Sequence, residues 1–187
     1  MRRSKKSRWL KIALGLALAS LAVSCDRSNK QLDSPSLAKG TANLPAAPAV
    51  SFQNLDGQTV NLSAYRGKVV LVNFWGTWCE PCLSEIPDLI RFQQEYGSKG
   101  FTVVGVAMDD TKTSVSSFIA KPQFDVGGRK MAMNYPVVLG SGDVAAKFGC
   151  CFGYPTSYIL SRDGKIVQKI VGGVDPQAVS GLIRKLL

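Results

Sequence analysis

The stretch KVVLVNFWGTWCEPC, residues 68–82, joins two kinds of sequence at one point. Lys68 to Trp75 is nearly continuously apolar and rich in β-branched side chains, the pattern of a strand buried on both faces. From about Pro81 to Ser98 the pattern is helical, with Ile86, Leu89, Ile90 and Phe92 at apolar positions. Cys79 and Cys82 therefore stand where a buried strand gives way to a helix, and that placement matters more than their spacing. A thiolate at a helix N-terminus meets unpaired backbone N–H groups and the positive end of the macrodipole. Its pKa falls below the usual value of about 8.5, so attacking thiolate exists near neutral pH. Two intervening residues keep the second sulfur within disulfide reach on the first helical turn. Pro81 is tolerated there because its missing N–H would have no intrahelical partner.

Outward from this junction, strand and helix patterns alternate from Val50 to the end of the chain. Asp56-Gly57 between two short β-like runs signals a hairpin. Phe101 to Met108 reads as a second buried strand, Thr113 to Lys121 as a helix, and Asn134 to Leu139 as a short extended run. Tyr154 to Leu160 is a strand turned by Arg162-Asp163-Gly164 into another, Lys165 to Val171, and Asp175-Pro176 caps a final helix. Residues 122–133 are the least regular and read as a surface loop. A parallel βαβ unit followed by an antiparallel hairpin and a closing helix predicts an α/β domain with a central mixed β-sheet flanked by helices.

The net charge of +10 over 187 residues is concentrated at the front. Arg2, Arg3, Lys5, Lys6, Arg8 and Lys11 precede an apolar run from Ile12 to Ser24, with no acid among the first 24 residues. Without residues 1–24 the chain carries 17 basic and 13 acidic side chains, a net +4, and no basic stripe with interleaved aromatics, which argues against nucleic-acid binding. The 13-residue run is too short for a span of about 20 residues and reads as a signal peptide. It ends LAVSC, residues 21–25, which resembles a bacterial lipobox with Cys25 as the lipidated residue, although Ala22 stands where leucine is usual. Cleavage after Ala19 and an uncleaved anchor are the other readings, and all three place the domain outside the cytoplasm. The lipobox resemblance, with Asp26 next, implies retention at the periplasmic face of the inner membrane in a Gram-negative source. Residues 25–49, with Pro35, Pro45 and Pro48, read as a flexible tether, and residues 50–187 as the folded domain.

The chain has no histidine. Ser-His-Asp and Cys-His catalytic sites and every His-containing zinc set are thereby excluded. A zinc site would need two ligands beyond Cys79 and Cys82, which only Cys150 and Cys151 could supply. The chemistry left is thiol–disulfide exchange: Cys79 attacks a substrate disulfide, and Cys82, one turn inside, attacks the Cys79 sulfur and releases reduced substrate. The same steps run backwards oxidise a dithiol.

NFWGTWCEPCLSEIP, residues 73–87, resembles the active-site segment of the TlpA/ResA-like branch of the thioredoxin superfamily. The likeness extends over residues 50–187 through LSAYRGK (62–68), VGVAMD (104–109), NYPV (134–137) and GYPTS (153–157). It implies a thioredoxin-like fold with an N-terminal β-hairpin extension and a membrane-tethered, extracytoplasmic thiol–disulfide oxidoreductase. The implied partners are protein thiols and disulfides, apocytochrome c among them, and a membrane electron donor of the thiol-transfer type. The redox-active disulfide stands in place of a cofactor, and no metal is implied. Pro155 matches the family's cis-proline, which offers backbone to the substrate. Substrate contacts are expected from Trp78, Glu80, Pro81, Tyr154 and Pro155. Glu85 matches an acidic residue able to exchange a proton with the cysteines, and Pro87 the helix-kink proline.

The chain departs from the pattern in two places. Asn73 occupies the position of thioredoxin's buried aspartate and cannot exchange a proton. Cys150 and Cys151 lie where relatives carry small or apolar residues; they read either as a redox pair or as a loop residue beside a core residue. A disulfide-forming oxidase is the alternative direction of the same chemistry. An envelope Cu(I) metallochaperone is the alternative of another class, although copper carriers of this fold add a histidine. A peroxiredoxin would need a P-x-x-x-T-x-x-C segment that no cysteine here has.

Overall fold

A computed structural model describes residues 44–108 and 110–187. The expectations for the signal peptide, Cys25, the tether up to residue 43 and Asp109 lie outside the described residues. The main sheet has seven strands in the order β2-β1-β7-β4-β3-β8-β9. Its centre is β3 (Val69–Trp75), parallel to β4 (Phe101–Ala107) and antiparallel to β8 (Thr156–Leu160). The hairpin of β1 (Ser51–Asn54) and β2 (Thr59–Asn61) joins one edge through β7 (Val137–Leu139), and β9 (Ile166–Val171) forms the other.

Every residue of β3 and β4 is buried, as their unbroken apolar sequence requires. The strand period of two then divides β3 between two cores. Val69, Leu71 and Trp75 face α1 (Glu80–Tyr96), α2 (Lys112–Ile119) and α4 (Pro176–Leu186), through Leu89, Ile90, Val115, Val179 and Ile183. Val70, Val72 and Phe74 face α3 (Gly142–Lys147), the hairpin and the 3-10 turn Leu62–Tyr65, through Val144, Phe148, Phe52 and Leu62. Asn73 falls on the α1 side, opposite Ser157 of β8.

Helix starts follow their sequence signals. Thr111 accepts a hydrogen bond from Ser114 N at 3.1 Å, and Asp175 accepts from Gln177 N and Ala178 N with Pro176 at the first helical position. Pro87 sits inside α1, where it cannot donate to the carbonyl one turn back.

Three expectations change. Residues 122–133 form a small hairpin of β5 (Phe124–Val126) and β6 (Arg129–Met131) around Gly127 and Gly128, both at positive φ, with Phe124 buried against Phe118. α3 was not foreseen, because six residues are too few for a helical period to show. Residues 44–49 are not part of the tether: Ala46 bridges Lys165, Ala47 N donates to Gly164 O at 2.9 Å, and Ile166 N to Pro45 O at 2.8 Å.

Candidate active site

β3 ends at Trp75, and three residues later Cys79 caps α1, so the strand delivers the cysteine pair to one end of the sheet. Cys79 and Cys82 are joined as a disulfide with Cα atoms 5.2 Å apart. Cys79 O accepts from Cys82 N at 2.9 Å and Leu83 N at 3.1 Å, closing the first turn around the pair. Cys79 is 5 % exposed and Cys82 is 0 %, so a substrate sulfur reaches Cys79 first. Glu80 and Pro81 between them are exposed.

The loop before Cys79 is tied down twice. Asp110 accepts from Thr77 N at 2.8 Å and from Thr77 Oγ1 at 2.7 Å. Trp78 Nε1 donates to Met108 O at 3.3 Å, and the indole lies against Gly76, where a Cβ would come within 2.6 Å of Trp78 Cε2. Trp78 nevertheless stays 55 % exposed and meets the Tyr154 ring edge-on at 5.7 Å. That contact brings together the cysteine loop and the loop before β8, where the Tyr154–Pro155 bond is cis. Pro155 O accepts from Gly172 N at 2.9 Å, and Gly153 O accepts from Thr156 Oγ1 at 2.8 Å. Phe152, three residues before Pro155, is fully exposed.

Glu85 follows Cys82 by three residues, on the same face of α1, and is buried. Asn73 Nδ2 donates to Glu85 Oε1 at 2.7 Å and to Ser157 Oγ at 3.0 Å, and Val174 N donates to Glu85 Oε2 at 3.0 Å. Burial pushes the carboxyl from its ordinary 4.5 up to about 7, the two hydrogen bonds hold it back, and the Asp88 charge adds to the rise. Tyr135 is also buried, its hydroxyl without a hydrogen-bond partner, and burial with the Glu85 charge raises its pKa.

The structure thus brings together Trp78, Cys79, Glu80, Pro81, Cys82, Glu85, Tyr154 and Pro155. The sequence reading missed the cradle around Glu85. Asn73 is the donor that fixes this carboxylate, and Ser157, Val174 N–H and Tyr135 complete its surroundings. The signal was present: a single polar residue inside seven buried strand residues has to find a partner. Asp110 carried no such signal. Cys150 and Cys151 are paired with each other, apart from Cys79 and Cys82. Among the described residues no group of three or more Cys, Asp or Glu is placed to hold a metal ion.

Comparison with known proteins agrees with this arrangement. A family model described as Redoxin matches residues 41–186. The thiol-disulfide oxidoreductase ResA of Bacillus cereus is 31% identical over 140 residues, covering 75% of this chain and 76% of that one. The crystal structure of a thiol:disulfide interchange protein of the thioredoxin family from Chlorobium tepidum superposes with a TM-score of 0.66 at 29% identity, covering 78% of this chain and 97% of that one. A thiol:disulfide interchange protein from Bacteroides gives 0.63 at 28% identity, covering 76% and 91%.

Proposed function

The chain belongs to the Redoxin family, as a ResA-like thiol–disulfide oxidoreductase of thioredoxin-like fold, and from that premise we propose that it works as a reductant of disulfides in exported proteins. The observation that carries the direction is Glu85, buried one helical turn beyond Cys82. A carboxylate in that position repels a neighbouring thiolate and favours its protonated form. Strongly oxidising pairs owe their potential to a stabilised reduced form, so a group that withholds thiolate stabilisation moves the pair toward the reducing end.

In the reductive direction the Cys79 thiolate attacks one sulfur of the substrate disulfide, forming a mixed disulfide and releasing the other sulfur as a thiolate. Cys82 gives its proton to the Glu85 carboxylate and attacks the Cys79 sulfur. The Cys79–Cys82 bond forms, the mixed disulfide breaks, and two electrons have passed to the substrate. A carboxyl whose pKa is about 7 suits a proton acceptor working near neutral pH. The pair itself carries the electrons, so the reaction needs no bound cofactor. Trp78, Glu80, Pro81 and Tyr154 supply side-chain contact to the substrate, and Pro155 supplies backbone.

The basic, apolar N-terminus supports an extracytoplasmic site, with Cys25 lipidated and a membrane thiol donor restoring the dithiol. Apocytochrome c is the substrate the family likeness favours. The test is an equilibrium titration read on the tryptic peptide 69–91, which holds Cys79 and Cys82. A midpoint near or below about −270 mV supports reduction, and one near about −120 mV reverses the direction to disulfide formation. Labelled fatty acid incorporated by the wild-type chain and lost on Cys25→Ser tests the anchor.

A further inference from the structure

We propose that Cys150 and Cys151 form a second thiol–disulfide couple, separate from the active-site pair, on the loop that meets the substrate. The two residues are paired, half-buried, and packed against the core cluster containing Phe148 and Tyr158. Cys150 N donates to Ala145 O at 2.9 Å, so the pair begins as α3 ends. It leads directly into the exposed Phe152 and then Tyr154, the residue that meets Trp78 beside Cys79.

A structural staple is the weaker account of this bond. A disulfide stabilises a fold largely by constraining the unfolded chain, and the effect grows with the number of residues enclosed. A bond between sequence neighbours encloses none. The two thiols are also in mutual reach whether the chain is folded or not, so the state of the bond follows the surrounding potential rather than folding. Partial exposure leaves the sulfurs open to an attacking thiolate, unlike the fully buried Cys82.

The reaction partner is a dithiol. One of its thiolates attacks a sulfur of the Cys150–Cys151 bond and forms a mixed disulfide. Its second thiolate attacks the partner sulfur of that bond, leaving an oxidised partner and a Cys150/Cys151 dithiol, with two electrons and two protons transferred. Opening and closing the pair resets the segment that presents Phe152 and Tyr154 to the substrate.

The test uses the full chain, wild type and Cys79→Ser/Cys82→Ser, equilibrated in buffers of reduced and oxidised dithiothreitol, then alkylated and digested with trypsin. Peptide 148–162 contains Cys150 and Cys151 and no other cysteine, and peptide 69–91 reports the active-site pair in the same digest. In both chains peptide 148–162 is expected to pass from two alkyl groups to none. A tenfold change in the ratio of reduced to oxidised buffer should move the ratio of its two forms tenfold. A peptide that carries the same number of alkyl groups at every ratio overturns the proposal, as does one that carries a single group. So does a curve present in wild type and absent from the variant. If peptide 69–91 alone fails to titrate, the active-site reading fails and this one stands.

Discussion

Replacing Glu85 with glutamine tests the energetic cost of burying this carboxyl. The group is 4 % exposed, and burial moves its pKa from 4.5 to about 7. Below pH 4.5 the carboxyl is protonated in the folded and unfolded chains alike, and no penalty exists. Between 4.5 and about 7 the unfolded chain loses this proton first, so stability falls as pH rises. Above pH 7 the loss is complete, at about 3 kcal/mol, since a tenfold change in acidity corresponds to about 1.4 kcal/mol. Glutamine has no such titration, but its NH2 group meets a donor, either Asn73 Nδ2 or Val174 N–H. That mismatch costs about 1–3 kcal/mol and is the same at every pH. The informative quantity is therefore the difference between the two chains as a function of pH. Urea unfolding of the oxidised proteins should show the wild type losing about 3 kcal/mol relative to Glu85→Gln between pH 4.5 and 8. A difference that stays constant over this range would refute the claim that burial raises the Glu85 pKa.

Cys82→Ser should trap a substrate as a mixed disulfide on Cys79, visible on non-reducing gels, while Cys79→Ser should trap none; equal trapping by both would reverse the order of attack. Gly76→Ala places a Cβ within 2.6 Å of Trp78 Cε2. It should displace the indole from Met108 O, cost about 1–3 kcal/mol of stability and shift the tryptophan fluorescence; an unchanged spectrum would count against the described packing. Phe152→Ser removes a fully exposed ring. Stability should stay within about 0.5 kcal/mol, while KM for a protein disulfide rises about fivefold, the loss of about 1 kcal/mol of apolar contact. Hydroxyethyl disulfide should be reduced at the wild-type rate, and an equal effect on both substrates would exclude a docking role.

The parts legible in the sequence were those written in long runs. Seven buried residues in β3, seven in β4 and the Asp175-Pro176 cap each state their structure locally. The cysteine pair was legible because the strand ends just before it. Short elements were not: β5 and β6 have three residues each, and only Gly127-Gly128 marked their turn. The Glu85 cradle was invisible for another reason. Its donors come from residues 73 and 174, and pairing across 89 positions is decided by register rather than by local pattern. Residues 44–49 were misread because proline and alanine suit both a solvated linker and a segment paired at a sheet edge.

The docking of residues 45–47 against the turn at Gly164 also gives the domain a polarity. β8 leaves Pro155 beside the cysteine loop and runs antiparallel to β3, so Leu160 lies opposite Val70 and the turn at residues 162–164 sits at the far end of the sheet. The chain thus enters at the pole opposite Cys79, about 20 Å away along seven strand residues. Whatever holds the chain ahead of residue 44 holds it by its base. The reactive face looks outward, free to meet one partner after another without the domain having to turn round.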